Sequence, residues 1–263
     1  MKKYLFIIPL IFVFVSCEKD QIVESDATNQ SYIVVNSELN PDKLFAGVTF
    51  TKTLPVGSLY DIKAAELKDV KAYLKINGLQ VVPLHYVNDG VYKPMYDELI
   101  VEAGYTYELF AEWGETIIYS RTKIPFSPEI NSVSYNAGGN YLTANVKTNP
   151  DEVYGAIWVI GYGSTRATAF PNLSIPGTNV YNINVITSTL PAQYKGNEYN
   201  GSRNIAVFSF DKQYTSYFNS ANINVPVGNA FTQNGGSIGW NVFGNNVIGM
   251  FIGVGKAKII NVN

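Results

Sequence analysis

The sequence is poor in the residue types on which many active sites depend. It holds one cysteine and one histidine in 263 residues, so a disulfide within the chain and a metal site built from histidine and cysteine are both excluded by count. Charged residues make up 15% of the chain, and the formal net charge is −2. Because a nucleic-acid-binding surface needs a basic patch and the sequence has none, nucleic acid is not an expected partner. No cofactor is expected either.

The chain also lacks an apolar run of the roughly 20 residues that a membrane-spanning helix needs. Its most apolar stretch, residues 4–15, is twelve residues long, follows two lysines and ends at Ser16 and Cys17. A positive segment followed by a short apolar segment is typical of a secretory signal. The bulky Phe14 does not suit the ordinary A-x-A-like cleavage site, which favours cleavage directly before Cys17 instead.

The stretch Phe14-Val15-Ser16-Cys17 resembles the lipobox of bacterial lipoproteins, in which the cysteine is lipid-modified. The resemblance implies that residues 1–16 are a lipoprotein signal peptide and that Cys17 carries acyl chains such as palmitate. Two or three acyl chains hold a protein at a membrane almost permanently, because each buried methylene contributes roughly 0.8 kcal/mol. The alternative is a free Cys17 in an uncleaved apolar segment.

Residues 17–30 contain four acidic residues and no apolar periodicity, and we expect them to form a flexible tether. The acidic residues directly after Cys17 resemble the signal that sends Bacteroidota lipoproteins to the outer face of the outer membrane. The alternative is a soluble linker that happens to be acidic. The predicted location is the outer membrane, through the lipid anchor and facing the cell surface.

What the chain has in abundance is aromatic residues and glycine. Aromatic residues reach 14%, including 19 tyrosines, and there are 22 glycines. Without residues 1–16 the chain keeps 17 basic and 21 acidic residues, a net charge of −4. Because β-branched and aromatic residues suit pleated surfaces and glycine suits turns, the composition predicts an extracellular protein of the all-β class.

Short alternating segments predict an antiparallel β-sandwich over residues 31–126. In residues 70–76 apolar side chains alternate with polar ones, and Asn77-Gly78 follows as a strong signal for a β-hairpin. Pro83 in the returning strand lacks an amide donor, which favours a sheet edge. Residues 105–113 place five apolar or aromatic side chains on one face.

Residues 127–263 predict a second β-rich unit with one short helix. The helix is expected over residues 211–220, where Asp211 can cap the N-terminus and three aromatic residues share one face. Residues 238–255 form two apolar arms around Asn245-Asn246, which predicts a final hairpin over the core.

Candidate catalytic groups are few. His85 lies in a predicted strand, where a half-buried structural residue is expected rather than a base. Residues 235–239 match the G-x-S-x-G pattern, but a nucleophile elbow needs a preceding strand, a following helix and a later histidine, so we interpret the match as coincidence. In the pairs Asp97-Glu98 and Asp151-Glu152, adjacent residues point to opposite faces and cannot act together as a glycosidase pair. We predict no enzyme, and no catalytic or metal-binding residues.

The three tryptophans are candidates for stacking on a sugar ring, as exposed aromatic residues of glycan-binding proteins do. A tryptophan in an alternating strand usually lies in the core, and this is the expected role of Trp113, Trp158 and Trp240. If one of them is a ligand platform, Trp240 is the candidate, because the glycines and Asn241 around it indicate a loop or a strand edge.

Four stretches carry a family resemblance through their order: residues 32–35 with the strand through Val48 and Phe50, residues 104–109, residues 214–218, and residues 238–253. The chain resembles a family of uncharacterised Bacteroidota outer-membrane lipoproteins, a domain of unknown function often encoded beside TonB-dependent receptors. The resemblance implies an immunoglobulin-like or transthyretin-like sandwich followed by a second β unit. It implies no catalytic residues, because none is established for the family.

Three hypotheses about function follow. The one we adopt is a non-enzymatic lipoprotein that acts as an accessory or ligand-binding partner of an outer-membrane transporter, with a TonB-dependent receptor as the expected partner. The second is a structural subunit of a surface fibre, since fimbrial proteins of such bacteria are also lipoproteins with two β-sandwich units. The third, ranked lowest, is a glycan-active enzyme that uses carboxylates in the loops of residues 163–203.

Overall fold

Strands make up most of the structure, a computed structural model that describes residues 31–55, 57–96, 98–160, 165–166, 170, 172–196, 199, 201–221 and 239–262. For residues 160, 165–166 and 219–221 the description covers the backbone alone. The described residues contain 16 strands and two short α-helices, so the predicted all-β class is confirmed.

The strands and helices have the following bounds among the described residues. Before residue 126 lie β1 (Ile33–Leu39), β2 (Val48–Lys52), β3 (Lys71–Ile76), β4 (Gln80–Asn88), β5 (Val91–Lys93), β6 (Thr106–Trp113) and β7 (Thr116–Lys123). After it lie β8 (Glu129–Asn136), β9 (Tyr141–Lys147), β10 (Glu152–Ile160), β11 (Thr165–Arg166), β12 (Asn182–Ile186), β13 (Arg203–Asp211), β14 (Val242–Phe243), β15 (Val247–Gly253) and β16 (Lys258–Val262). The α-helices are α1 (Ile62–Ala65) and α2 (Tyr214–Ala221), and Ala192–Tyr194 form one turn of 3₁₀-helix.

The first seven strands join β14 and β15 in one sheet with the order β14-β7-β6-β3-β4-β5-β2-β1-β15. Strand β4 changes its pairing partner along its length. Residues 80–84 pair with β3, and residues 85–88 pair with β5. The two halves of the sheet enclose one apolar core, to which both contribute buried side chains such as Val35, Phe50 and Leu109. This is a β-sandwich, and it includes β14 and β15 from beyond residue 126.

The turn between β3 and β4 forms as the sequence predicts. Asn77 and Gly78 have φ angles of 50° and 72°, and Leu79 N donates to Ile76 O at 3.0 Å. Two successive positive φ angles and a closing hydrogen bond are what a type I′ turn requires, so the hairpin prediction is confirmed.

Strand β15 is buried on both faces and completes the core. It pairs in parallel with β1 along its whole length, which the long connection between the two strands permits. Val247 and Phe251 point into the core of the first sandwich. Met250 and Ile252 join a second apolar cluster formed with β10, β13 and α2, so β15 packs between the two sandwiches.

The predicted final hairpin of residues 238–255 does not form as a paired ladder. β14 pairs with β7, and β15 pairs with β1. Asn241 joins the two arms through its side chain, because Nδ2 donates to Phe251 O at 2.6 Å and Oδ1 accepts from Phe251 N at 2.8 Å. The Asn241 side chain thus makes the two backbone hydrogen bonds to Phe251 that a paired strand would otherwise make.

The remaining strands form a four-stranded sheet, β11-β10-β13-β16, and a three-stranded sheet, β12-β9-β8. Leu142, Tyr154, Trp158 and Val207 are buried in their shared core. The predicted division at residue 126 stays a prediction: Ser31–Asn263 form one compact unit, and β14 and β15 belong by sequence to the second range but by pairing to the first sheet.

Both helices begin after an aspartate whose carboxylate accepts a backbone hydrogen bond. Asp211 accepts from Gln213 N at 3.0 Å before α2, the helix that the sequence predicts. Its second oxygen accepts from Lys123 N at 2.8 Å, which fastens β13 to β7. Asp61 accepts from Lys63 N at 2.9 Å and caps α1, a single turn too short to give the helical periodicity on which the sequence predictions depended.

Candidate functional site

One half of β4, residues 80–84, has β3 along one edge and no described strand along the other; we call it the open half. Asn77 N donates to Thr106 O of β6 at 2.8 Å, so odd-numbered residues of β3 direct their backbone groups toward β6. Even-numbered residues of β3 direct theirs toward β4, because the direction alternates along a strand. Their partners in β4 are Val82 and its even-numbered neighbours.

Val81 and Pro83 therefore direct their backbone groups away from β3. Val81 presents an N–H and a C=O to the open edge, and Pro83 presents only a C=O. His85, the next residue in this series, pairs with Lys93 of β5, the neighbour on the other side of β4. The donor that Pro83 lacks would face the open edge, so the prediction that it marks a sheet edge is right for this half of β4, although β4 as a whole lies inside the sheet.

A groove of about 760 Å³ runs beside the open half; we call it the β4 groove. Gln80, Val82, Pro83 and His85 line it from β4. These residues come from both faces of the strand, as expected where a groove follows a strand edge instead of covering one face. The opposite wall is the segment after β5, residues 94–96 and 98–102, which we call the wall segment.

Hydrogen bonds hold residues 99–102 of the wall segment in place. Phe45 N donates to Leu99 O at 2.8 Å, and Val101 N donates to Lys43 O at 2.9 Å. Glu102 N donates to the hydroxyl of Tyr107, a buried residue of β6, at 3.0 Å. The part of the wall nearest β6 is thus fixed.

The wall segment presents large apolar side chains to solvent and two carboxylates to the groove. Met95, Tyr96 and Ile100 are 70%, 72% and 54% exposed. Glu98 and Glu102 line the groove, and none of its described lining residues is a lysine or an arginine. The groove combines apolar surface, backbone groups without a partner among the described residues, and negative charge, a combination suited to binding.

A second surface, the outer face of the first sheet, carries a row of rings at one level of the strands: Pro83, Tyr73, Phe110, Tyr119 and Phe243. The rings of Tyr73 and Phe110 are 5.1 Å apart at 11°. Each ring of this stacked pair covers one face of the other. The row stabilises the sheet through cross-strand contacts.

Trp240, the sequence-predicted candidate for a ligand platform, is half-buried in the cluster around α2. Its ring lies 5.9 Å from the ring of Tyr217 at 39°, and its platform role stays a prediction. The expected core position is confirmed for Trp158, which is 7% exposed. Trp113 packs at the margin of the first core, and its Nε1 donates to Asp69 Oδ1 at 2.9 Å.

Several of the sequence predictions fall on residues outside the described ranges, among them the signal peptide of residues 1–16 and the tether of residues 17–30. Cys17, the predicted lipidation site, lies there, and so do residues 235–238 of the G-x-S-x-G stretch. His85 is described, and the expectation that it is half-buried was wrong. It is exposed on the outer face of β4 and lines the β4 groove, because β4 carries its core residues at the alternate positions.

The two carboxylates of an adjacent pair are expected to lie in different surroundings, and Asp151 and Glu152 do. Asp97 lies outside the described residues. Asp151 is exposed and lies 2.7 Å from Lys212 Nζ, whereas Glu152 is 8% exposed and accepts from the Tyr154 hydroxyl at 3.0 Å. Burial raises the pKa of Glu152. Glu198, the one acidic residue in the sequence range 163–203, offers no second carboxylate for a glycosidase pair.

Another buried carboxylate, Glu66, links the end of α1 to β4. The hydroxyl of Tyr86 donates to its Oε2, and Lys68 Nζ lies 3.0 Å from its Oε1. The hydrogen bond from Tyr86 lowers the pKa of Glu66. This contact holds the part of β4 that follows the open half.

Sequence reasoning found the edge at Pro83 but missed the groove. The signal that could have found it is the run Pro94-Met95-Tyr96, where large apolar residues follow a short strand without alternation. Within the described residues, no three His, Cys, Asp or Glu side chains are grouped to hold a metal ion. No described helix has both the length and the hydrophobicity to cross a membrane.

No protein-family model matches the chain, and no curated protein matches it. The resemblance to Bacteroidota lipoproteins stays a prediction.

Proposed function

We propose that the protein is a lipid-anchored binding protein of the outer membrane, held by Cys17 at the cell surface, which acts without catalysis as an accessory partner of a TonB-dependent transporter. The β4 groove carries the binding role, because contiguous exposed apolar surface is typical of interaction sites. The signal at residues 1–17 supports the location. The family resemblance supports the choice of partner.

The anchor is tested in intact cells. Wild-type protein is expected to incorporate a labelled palmitate analogue and to be removed by protease added outside the cells. Cys17→Ala is expected to lose both the label and the membrane association, because the chain has no other cysteine to acylate. Wild-type protein without label, or protein that resists protease until the cells are broken, would contradict the proposed location.

The partner is tested by purifying the tagged protein from solubilised outer membrane and identifying co-purified proteins by mass spectrometry. A TonB-dependent receptor is expected with wild type and not with Met95→Asp/Tyr96→Asp. The matched control is Leu59→Asp/Tyr60→Asp, an adjacent apolar pair that is 93% and 74% exposed and does not line the groove. Recovery of no receptor with wild type would rule out the transporter role. Equal recovery with both variants would rule out the groove as the contact.

The fibre-subunit hypothesis has one observation in its favour, the open half of β4, since a strand donated by the next subunit could pair there. Crosslinking of intact cells separates the two functions. An accessory protein gives a monomer and a band with its receptor, whereas a fibre subunit gives a regular ladder of multimers. A strictly monomeric protein would rule out the fibre-subunit hypothesis.

A further inference from the structure

We infer that the β4 groove binds an extended polypeptide segment of a partner protein as an added β-strand, and that this segment carries lysine or arginine among apolar residues. The inference rests on the proposed binding function and specifies its mode and the chemistry of its partner.

The first argument is the backbone. Val81 directs an N–H and a C=O away from β3, and Pro83 directs a C=O the same way. Unpaired groups along a strand edge are a template for another strand, and peptide recognition by strand addition uses such groups for affinity. These backbone groups can thus form hydrogen bonds with the N–H and C=O groups of a bound peptide.

The second argument is shape. The open half is five residues long, about 16 Å at about 3.3 Å per residue. The wall segment lies opposite it and offers Met95, Tyr96 and Ile100 to the groove. Because alternate side chains of an added strand point to opposite faces, one set of them contacts this apolar wall.

The third argument is charge, and it selects the occupant. Glu98 and Glu102 line the groove without a lysine or arginine among its described residues, which favours a basic segment. The chain's own residues 18–30 hold four acidic residues and one lysine, so like charge disfavours them. A second copy paired through the same edge would bring its own Glu98 and Glu102 to the contact. A basic segment of another protein meets none of this repulsion.

The experiment uses the full mature protein in detergent and two fluorescent peptides of nine residues. Both alternate valine with polar residues, and they differ only in carrying three lysines or three glutamates. Fluorescence anisotropy measures their affinities. The lysine peptide is expected to bind at least tenfold more tightly than the glutamate peptide.

Two variants test the mode of binding. Val81→Pro removes the outward N–H and leaves the ladder to β3 intact, so affinity for the lysine peptide is expected to fall at least tenfold. Val81→Thr is the matched control that keeps the N–H and is expected to bind like wild type. Glu98→Lys/Glu102→Lys is expected to reverse the preference, so that the glutamate peptide binds more tightly than the lysine peptide. Glu112→Lys is the control, because Glu112 is an exposed residue of β6 outside the groove, and it is expected to keep the wild-type preference.

The outcomes are separable. Unchanged affinity in Val81→Pro, with Val81→Thr also unchanged, would overturn strand addition. If Val81→Pro fails to fold, hydrogen exchange of the wild type replaces it. The lysine peptide is expected to protect the Val81 amide from exchange, and absence of protection would overturn strand addition. Self-association that Val81→Pro abolishes would make a second copy the occupant and overturn the basic partner. Peptide binding without receptor recovery would leave this inference standing while the transporter role fails.

Discussion

Strands β4 and β15 belong to the same sheet but meet opposite surroundings. β15 is buried on both faces, pairs along its whole length with β1 and carries no charged residue. β4 has a half with one neighbour, and its outer face presents Pro83 and His85 to solvent. On the proposed function, this sheet places its stability in β15 and its binding capacity in the open half of β4. Changes in β15 should cost stability, and changes in the open half of β4 should cost binding.

The largest effect is expected from Gly249→Ala in β15. Gly249 has a φ of +136°, and a Cβ there would lie 1.8 Å from Val35 O of the paired strand β1. Because the contact is with backbone and the φ is strained for alanine, the strands must separate, and the free energy of unfolding should fall by more than about 4 kcal/mol. Urea denaturation followed by circular dichroism measures it.

The control for this substitution is Gly78→Ala in the turn before β4. Gly78 also has a positive φ, +72°, but a Cβ there meets nothing within 4 Å. Only the conformational cost of about 1–2 kcal/mol is expected. Equal losses in the two variants would show that backbone strain, and not the close approach of β1, decides the role of Gly249.

The next effect is expected from Phe251→Ala. Phe251 is fully buried in the first core, so its truncation should lower the free energy of unfolding by about 3–5 kcal/mol. Phe243→Ala is the matched control, because Phe243 is 59% exposed at the sheet edge in β14, and a surface substitution costs about 0.5 kcal/mol or less. Similar urea midpoints for the two variants would contradict the placement of β15 in the core.

The contrast between the strands also explains how far the sequence could predict the fold. Alternation in residues 70–76 and the Asn77-Gly78 turn are local signals, and both predicted the structure correctly. The apolar run of β15 predicted burial but not its partner. Its neighbour β1 is about 210 residues away in sequence, and pairing over such a distance leaves no local trace. The hairpin prediction failed for this reason.

The candidate site was predicted only in part, for the same reason. Pro83 is a local signal and predicted an edge. The wall segment depends on hydrogen bonds that Leu99 and Val101 make with residues near Lys43, and nothing in the sequence connects these stretches. His85 was expected to be half-buried because its strand was recognised, whereas its face depends on which residues of β4 enter the core.

A smaller effect, in the part of β4 that follows the open half, depends on pH. The Tyr86 hydroxyl holds the pKa of Glu66 below its usual value. A carboxyl with a lower pKa in the folded than in the unfolded state stabilises the fold above the unfolded pKa, near 4.3 for glutamate, and this contribution is lost as the pH falls through the folded pKa.

Wild type is therefore expected to lose more stability than Glu66→Gln between about pH 6 and pH 3. Urea midpoints measured across this range test it, with Glu112→Gln as an exposed control that keeps the wild-type slope. Hydrogen exchange sharpens the comparison, because acid should speed exchange in residues 85–88 of β4 before it affects β15, which is held by apolar contacts. If the urea midpoints of wild type and Glu66→Gln fall in parallel as the pH is lowered, Glu66 does not cause the loss of stability in acid.

The smallest effect is expected where β4 is open. Val81 is 57% exposed, and threonine keeps the β-branched shape, so Val81→Thr should change the free energy of unfolding by about 0.5 kcal/mol or less. The same substitution at Val35, which is fully buried opposite Gly249, places a hydroxyl in the core and should cost about 1–3 kcal/mol. Urea midpoints of the two variants compare a closed strand with an open one through an identical chemical change. A destabilised Val81→Thr would contradict the exposure of the Val81 side chain on the outer face of β4.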